Sequence, residues 1–156
     1  MSRHLADSLQ LAHLIPSGTT SGIDLGSGGG FPGLVLAIAT DTRFDLIESD
    51  SRKAAFLQEA IRVTGARATV HIVRVEKAKL SPAPLLTARA FAPVARILEW
   101  SHHLLAPGGT LLLPKGVTAD EELTEARRKW HMRVEKFASQ TGPGATILRL
   151  SEVARV

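Results

Sequence analysis

The chain has 156 residues, of which 44% are hydrophobic and 22% are charged, and these values are typical of a folded globular domain. It contains no cysteine, which excludes disulfides, thiolate metal sites and catalysis by a cysteine nucleophile. The net charge of +4 is uneven, because residues 1–50 carry 2 basic and 6 acidic side chains whereas residues 51–114 carry 9 and 3. A basic surface favours a polyanion such as nucleic acid, and is equally compatible with an ordinary solvated face.

Apolar runs alternate with amphipathic stretches along most of the chain, a pattern typical of βαβ units and a parallel sheet. The elements predicted first are a helix over 4–15, a strand over 22–25, a glycine-rich turn over 26–30, a helix over 32–40, a strand over 43–48, a helix over 51–63 and a strand over 68–73. Ser51 is the predicted cap of the third helix. The residues predicted to face partly inward on that helix are Ala55, Phe56, Glu59, Ala60 and Val63.

The second half continues the pattern and then departs from it. The elements predicted there are a strand over 85–89, a helix over 93–105, a turn over 107–109, a strand over 110–113, a helix from a capping box at Thr118 and Glu121 to about Trp130, and a hairpin of strands 133–138 and 146–150. With no repeat and no linker, we predict one domain over 1–156. Its α/β fold has a seven-stranded, mostly parallel sheet with helices on both faces, and the hairpin adds an antiparallel strand.

The central motif runs from Asp24 to Gly30, between a predicted strand and a predicted helix. Its glycines, Gly26 and Gly28 among them, allow positive φ angles and let a ligand approach the backbone. Glu48 ends the next strand, 22 residues after Gly26, and an acidic residue at that offset accepts hydrogen bonds from ribose hydroxyls.

Two cofactors and a purely structural loop fit this motif. The spacing of Gly28, Gly30 and Gly33 matches the dinucleotide fingerprint, although the turn then begins late and contains Pro32. S-adenosylmethionine carries no phosphate and is cationic, so an acidic residue just before the glycines, such as Asp24, favours it. We expect S-adenosylmethionine.

At these residues the sequence resembles a known family. The segment Ile23-Asp24-Leu25-Gly26-Ser27-Gly28-Gly29-Gly30-Phe31-Pro32-Gly33 is similar to the signature of the glucose-inhibited-division-B (GidB) proteins, also called RsmG. The other similar segments are 4–9, 46–49 with 52–53 and 56–57, 88–92, and 115–116. The resemblance implies a Rossmann-like class I methyltransferase fold and methylation of guanine N7 in 16S ribosomal RNA.

Position and resemblance together give the predicted cofactor-binding set. Its members are Asp24, Gly26, Gly28, Phe31, Glu48, Val75, Glu76 and Arg89. Within it, Glu48 binds the ribose, and the resemblance places Val75 and Glu76 at the adenine. Arg89 and Lys115 end the fourth and fifth strands and are candidates to position RNA. The alternatives are a core role for Phe31, a solvated charge for Glu76, a surface salt bridge for Arg89 and a structural role for Lys115.

The residue types also limit the reaction. Methylation of pyrimidine carbon 5 requires a cysteine, and the motif typical of amino-group methylation is absent after the fourth strand. Ribose 2′-O methylation stays open through Lys115. Guanine N7 carries a lone pair and no proton, so positioning suffices and no catalytic base is expected. The histidines show no metal spacing, and we expect no metal.

The expected partners are 16S rRNA or the small ribosomal subunit particle, with no membrane association. We expect a monomer in the cytoplasm, since no leader sequence is evident at residues 1–4. In the family a helical segment precedes the residues that correspond to Arg3 and His4, and the chain is expected to lack it together with any RNA contacts it makes. A small-molecule methyltransferase and a non-catalytic S-adenosylmethionine-binding module are the alternative functions.

Overall fold

The computed structural model describes residues 2–89 and 91–156, so Met1 and Ala90, the latter inside the matched segment 88–92, lie outside the described residues. The helices are α1 (Ser2–Leu11), α2 (Gly33–Ala39), α3 (Ser51–Thr64), α4 (Val94–Ser101) and α5 (Ala119–Ala126). The strands are β1 (Ser21–Leu25), β2 (Arg43–Ile47), β3 (Ala68–His71), β4 (Ala83–Ala88), β5 (Leu105–Lys115), β6 (Trp130–Ala138) and β7 (Thr146–Arg155). No helix in these ranges is long and apolar enough to cross a membrane.

The strands form one sheet in the order β3-β2-β1-β4-β5-β7-β6. Strands β1 to β5 are parallel, and β7 is antiparallel to both β5 and β6. The predicted seven-stranded sheet with an antiparallel strand from the final hairpin is confirmed. Strand β1 lies between β2 and β4, so the strand order reverses beside it, and in open α/β sheets ligands bind at the carboxyl ends of the strands at such a reversal.

Apolar residues from successive strand positions fill the two faces of this sheet. Leu86 and Leu111 pack in one buried cluster, whereas their neighbours Leu85 and Leu112 pack in the other, because side chains of a strand alternate between faces. The residues of α4 and α5 in the first cluster are Val94, Ile97, Leu98, Ala119, Leu123 and Ala126, and those of α1 to α3 in the second are Leu11, Leu34, Leu36, Ala37 and Leu57. Each buried leucine contributes about 1.5–3 kcal/mol relative to exposure, which fixes the helices against the sheet.

Two predictions about α3 were wrong, except that Ala60 is partly buried against the core cluster as predicted. Asp50, not Ser51, is the N-cap, and its carboxylate accepts hydrogen bonds from the Arg52 and Lys53 amides. The buried side of the helix carries Ala54 and Leu57, while Phe56 and Val63 are 57% and 68% exposed. The predicted face was rotated by about one position, since Leu57 is the side chain that the core cluster accommodates.

The segment around β5 and α5 also differs from the prediction. Strand β5 begins at Leu105 and includes the predicted turn at 107–109, which the sheet absorbs as a shift of register between Ala83 and Leu85 of β4. Helix α5 ends at Ala126, before the predicted end. The capping box does not form, because the Thr118 hydroxyl donates to the Glu122 carboxylate instead of accepting from the backbone.

Candidate functional site

The glycine-rich loop leaves the carboxyl end of β1 with Gly26 in the left-handed region, at φ 66°. A Cβ atom at this position would lie 2.4 Å from the ring of Phe91, which follows β4. Only glycine therefore permits both the turn and the approach of the Phe91 ring.

Three amides of the loop are already hydrogen-bonded within the protein. Ser27 N–H donates to the Ile47 carbonyl (2.9 Å), Gly28 N–H to the Glu48 carboxylate (2.7 Å), and Gly30 N–H to the Ser27 carbonyl (2.8 Å). A pyrophosphate is held by free amides at such a loop. The satisfied amides therefore do not favour the dinucleotide alternative.

The Glu48 carboxylate joins the loop to the segment after β2. Its Oε1 accepts from Gly28 N–H at 2.7 Å and its Oε2 accepts from Asp50 N–H at 2.9 Å, and the residue is 7% exposed. A carboxylate oxygen has two lone pairs, so each keeps the capacity for one further hydrogen bond. The side chain is thus fixed in place and still able to accept from a ligand.

A groove of about 320 Å³ runs along these strand ends. Of the eight predicted cofactor residues, those that line it are Gly26, Gly28, Glu48, Val75, Glu76 and Arg89. The lining residues that were not predicted are Ile47, Ser49, Lys53, Val73, Arg74, Phe91 and Trp100. The structure therefore brings six predicted positions to one groove, and their contacts with a ligand stay predictions.

Asp24 lies behind the groove and does not line it. Its carboxyl group is fully buried, Oδ1 accepts from the Thr87 hydroxyl at 2.5 Å, and Oδ2 has no hydrogen-bond partner among the described residues. Burial raises its pKa to about 6, against the lowering effect of the Thr87 and Ser27 hydroxyls. A Cβ on Gly33, at the start of α2, would lie 2.5 Å from this side chain, so α2 is packed directly on the acid.

Phe31 is also outside the groove. Its ring packs beside the imidazole of His4 on α1, with 5.6 Å between the centroids. The alternative of a packing role therefore agrees with its position, and its predicted contact with a cofactor stays a prediction.

A second pocket, of about 490 Å³, adjoins the groove across a shared wall of Arg89 and Phe91. Its other lining residues are Arg3, Asp7 and Gln10 of α1, residues 92–93 after β4, residues 114–116, Glu122 of α5, and Ser139, Thr141, Ala145, Thr146 and Ile147 of the final hairpin. Lys115 lines this second pocket, but its ammonium group is engaged, since it donates to the Ala92 carbonyl at 2.6 Å and lies 3.0 Å from Glu122. These contacts match the structural alternative for Lys115.

Helix α1 closes the second pocket through side-chain hydrogen bonds to the hairpin loop. The Gln10 amide donates to the Ser139 hydroxyl at 3.1 Å and accepts from Gln140 N–H at 3.0 Å. The Thr141 hydroxyl donates to Asp7 Oδ1. Sequence reasoning assigned no functional role to α1, although the resemblance over 4–9 was an available signal.

The tryptophans and histidines take mainly structural positions. Trp130 is buried beneath His102, and the His103 ring lies 3.0 Å from the Ala78 carbonyl. Trp100 packs edge-on against Phe91, with 5.9 Å between centroids, and so supports the shared wall. Among the described residues, no three histidine or acidic side chains are arranged to hold a metal ion.

Comparison with known proteins gives one family. The family model described as "GidB: rRNA small subunit methyltransferase G" matches residues 1–145. The ribosomal RNA small subunit methyltransferase G of Rhodospirillum centenum is 57% identical over 152 residues, which are 97% of this chain and 70% of the relative. The protein of the same name from Granulibacter bethesdensis is 53% identical over 154 residues, which are 99% of this chain and 72% of the relative.

Solved structures show the fold. The glycopeptide N-methyltransferase MtfA, complexed with S-adenosylmethionine, superimposes with a TM-score of 0.79 at 11% identity, over 95% of this chain and 93% of that one. Sequence identity that low carries no statement about substrate. The Rossmann-like methyltransferase fold expected from the sequence is confirmed.

Proposed function

Because the chain belongs to the GidB family, the rRNA small subunit methyltransferases G, we propose that it transfers a methyl group from S-adenosylmethionine to N7 of a guanine in 16S rRNA. The observation that carries the proposal is the pair of adjoining cavities. One is a groove with a fixed carboxylate beside internally satisfied loop amides, and the other is a pocket that meets it at Arg89 and Phe91.

The residues of the groove fit S-adenosylmethionine. Both oxygens of the Glu48 carboxylate retain acceptor capacity for the two ribose hydroxyls. Val73 and Val75 offer apolar surface to the adenine, and the bare backbone at Gly26 and Gly28 admits the amino-acid portion. When bound, this cofactor supplies a methyl group attached to a cationic sulfur.

The residues of the shared wall suit an acceptor that has no proton to lose. Arg89 is a permanent cation and Phe91 is apolar, so neither removes a proton. Lys115 is held by Ala92 and Glu122, which does not favour its use as the base in ribose 2′-O methylation. Guanine N7 needs only to be held in line with the methyl group, and orientation alone is worth up to about 7–11 kcal/mol of a barrier.

The RNA partner is supported by charge at the open side of the groove. Lys53 and Arg74 both line it and are exposed. Binding through phosphate contacts weakens steeply with salt, with a slope that counts the phosphates neutralised. We propose that a monomer acts in the cytoplasm on 16S rRNA or on the small-subunit particle, and that the six groove residues, with Asp24 beneath them, hold the cofactor.

The test is methyl transfer from labelled S-adenosylmethionine to total RNA and to small-subunit particles, followed by cleavage at N7-methylguanine to map the base. We expect one guanine of 16S rRNA to be marked. The Arg89→Ala variant should lose most of the turnover while keeping its thermal stability. The control, Arg62→Ala, removes an exposed arginine of α3 that pairs with Glu59 and lines neither cavity, and it should retain turnover.

Three other results would contradict the proposal. Label on a small molecule and not on RNA would indicate the small-molecule methyltransferase. Tight cofactor binding without transfer to RNA or particles would indicate a non-catalytic module. Label at an amino group or a ribose would leave the cofactor assignment and refute the N7 assignment.

A further inference from the structure

The most specific feature of the second pocket is a donor and an acceptor set side by side where it meets the groove. Arg89 Nη2 lies 3.7 Å from Asp7 Oδ2, and the two side chains are 25% and 16% exposed. Arg89 lines both cavities, whereas Asp7 lines only the second pocket. The donor is therefore next to the cofactor groove and the acceptor lies one step further from it.

We propose that Arg89 and Asp7 together select guanine as the target base, Arg89 by donating to O6 and Asp7 by accepting from N1–H. This inference rests on the proposed function and adds the residues that determine which base is accepted. In guanine, O6 is next to N7 on one side and next to N1–H on the other. A base with N7 facing the groove thus presents O6 at the shared wall and N1–H beyond it, in the same order as Arg89 and Asp7.

Two carboxylates line the second pocket, and Asp7 is the one with an oxygen that is available to accept a hydrogen bond from a ligand. Its Oδ1 accepts from the Thr141 hydroxyl, which fixes the side chain, and its Oδ2 makes no hydrogen bond within 3.5 Å among the described residues. Glu122 lines the same pocket, but Oε1 accepts from Val94 N–H at 3.1 Å and lies 3.0 Å from Lys115, and Oε2 accepts from Thr118. Glu122 therefore maintains the wall, and Asp7 Oδ2 is available to a base.

Arg89 also has donors to spare. Nη2 is directed to His4 Nδ1 on α1, and no hydrogen bond from its Nε or Nη1 atoms is formed within the described residues. The contacts with His4 and Asp7 orient the guanidinium of Arg89, which lines both cavities. Donation to O6 leaves the N7 lone pair free, as the reaction requires.

The same pair rejects adenine. At the positions of O6 and N1–H adenine has an amino donor and a bare nitrogen acceptor, so the donor would meet a donor and the acceptor an acceptor. Buried polar groups left unpaired in this way are costly, and sites that require a hydrogen bond discriminate by factors of about 10⁴–10⁵ against analogues that cannot make it.

The test replaces the mapped guanine in a ligated 16S rRNA by two analogues that both keep N7. Inosine keeps O6 and N1–H and lacks the 2-amino group, whereas 2,6-diaminopurine keeps the 2-amino group and reverses the other two. We expect the unmodified enzyme to methylate inosine within about threefold of guanine, and 2,6-diaminopurine at least about 100-fold more slowly. Equal rates on guanine and 2,6-diaminopurine, or loss of inosine methylation, would overturn the inference without any variant.

The Asp7→Asn variant then separates recognition from structure. The asparagine amide has the shape of the carboxylate, and its oxygen can still accept from Thr141. Its NH2 group then faces the base, where it presents a donor to the N1–H donor of guanine. We expect at least about a tenfold loss on guanine and a similar fall in the guanine-to-diaminopurine ratio, with calorimetric S-adenosylmethionine affinity unchanged. A structural role would slow both bases equally and leave the ratio intact.

The matched control is Asp120→Asn. Asp120 is an exposed carboxylate on α5 that pairs with Lys136 outside the pocket, so its replacement should leave the rates and the guanine-to-diaminopurine ratio unchanged. Absence of N7-methylguanine from every RNA with the unmodified enzyme would refute the proposed function. Methylation of guanine N7 with an unaltered ratio in Asp7→Asn would refute the base-selecting pair alone.

Discussion

The groove and the second pocket share a wall but are built by different means. The groove is assembled from strand ends and is held by backbone amides, as at Ser27 and Gly28. The pocket is assembled from α1 and the final hairpin, whose side chains meet across 129 to 134 residues of sequence, as at Gln10 with Ser139 and Asp7 with Thr141. Backbone contacts set by the sheet make the groove a property of the fold, whereas a few side-chain hydrogen bonds make the pocket separately adjustable.

The largest expected effect reaches both cavities at once, because Gly26 begins the glycine-rich loop of the groove and lies against Phe91 of the shared wall. Gly26→Ala places a Cβ 2.4 Å from the Phe91 ring at φ 66°, and we expect a loss of about 2–4 kcal/mol in the free energy of unfolding from strain and overpacking. Cofactor binding and methyl transfer should both fail. Chemical denaturation and calorimetry measure these effects.

The control for that variant is Gly65→Ala, at the C-cap of α3. Gly65 has nearly the same backbone angle, φ 69°, with nothing within 4 Å of an added Cβ. It should lose only the conformational cost, about 1–2 kcal/mol, and keep cofactor binding. Equal losses in the two variants would mean that the Phe91 ring moves freely and is not a shared wall.

The second effect concerns the acid beneath the groove and appears as a pH dependence. The folded-state pKa of Asp24, about 6, is above the ordinary value of 3.8 that applies in the unfolded chain. Between about pH 4 and 6 the folded protein therefore binds more protons than the unfolded chain, and its stability falls as pH rises. The penalty at pH 7 is about 3 kcal/mol.

Asp24→Asn should remove this dependence while keeping an acceptor for Thr87. Urea unfolding at pH 4 and at pH 7 gives the measurement, and the gain of the variant over the unmodified protein should be larger at pH 7 by about that amount. Parallel pH profiles would show that the buried carboxyl does not titrate in this range.

The third effect is confined to the groove. Glu48→Ala removes the carboxylate that accepts from Gly28 and Asp50, and we expect S-adenosylmethionine to bind more weakly by about 1–3 kcal/mol. Glu48→Gln, which keeps the size, should weaken binding less. Calorimetry decides, and an unchanged dissociation constant in Glu48→Ala would reject its assigned contact with the ribose.

The smallest effect is confined to the pocket. Thr141→Val removes the hydroxyl that fixes Asp7 and should cost about 0.5–1.5 kcal/mol of stability. It should slow methyl transfer and leave cofactor affinity unchanged. Thr124→Val, which deletes an exposed hydroxyl of α5, is the control for the substitution itself. A change in cofactor affinity in Thr141→Val would show that the two cavities are coupled beyond their common wall.

The difference in construction also explains what the sequence could predict. The loop at Gly26 and the carboxylate of Glu48 each follow a strand, so a local pattern and a fixed offset locate them. The parallel sheet follows from the alternation of apolar runs for the same reason. These features depend on residues near one another in the chain.

The features that the sequence could not predict depend on competition between partners that only the folded chain brings together. Asp50 and Ser51 are both good helix caps, and the anchoring of Asp50 N–H by Glu48 selects the first. Lys115 looked available for RNA because Glu122 and Ala92 are not its neighbours in sequence. Phe31 follows the glycines as a cofactor residue should, yet α1 supplies it with His4.

The contacts between Gln10 and residues 139 and 140 also set an order of events during synthesis. A ribosome delivers the chain from its N-terminus, so the glycine loop and its carboxylate emerge while the hairpin that holds α1 has not been made. The second pocket, which accepts the base, is then completed only after residues 139 and 140 have been synthesised. The residues that line the groove, the last of which is Trp100, are therefore synthesised before the residues that complete the pocket for the base.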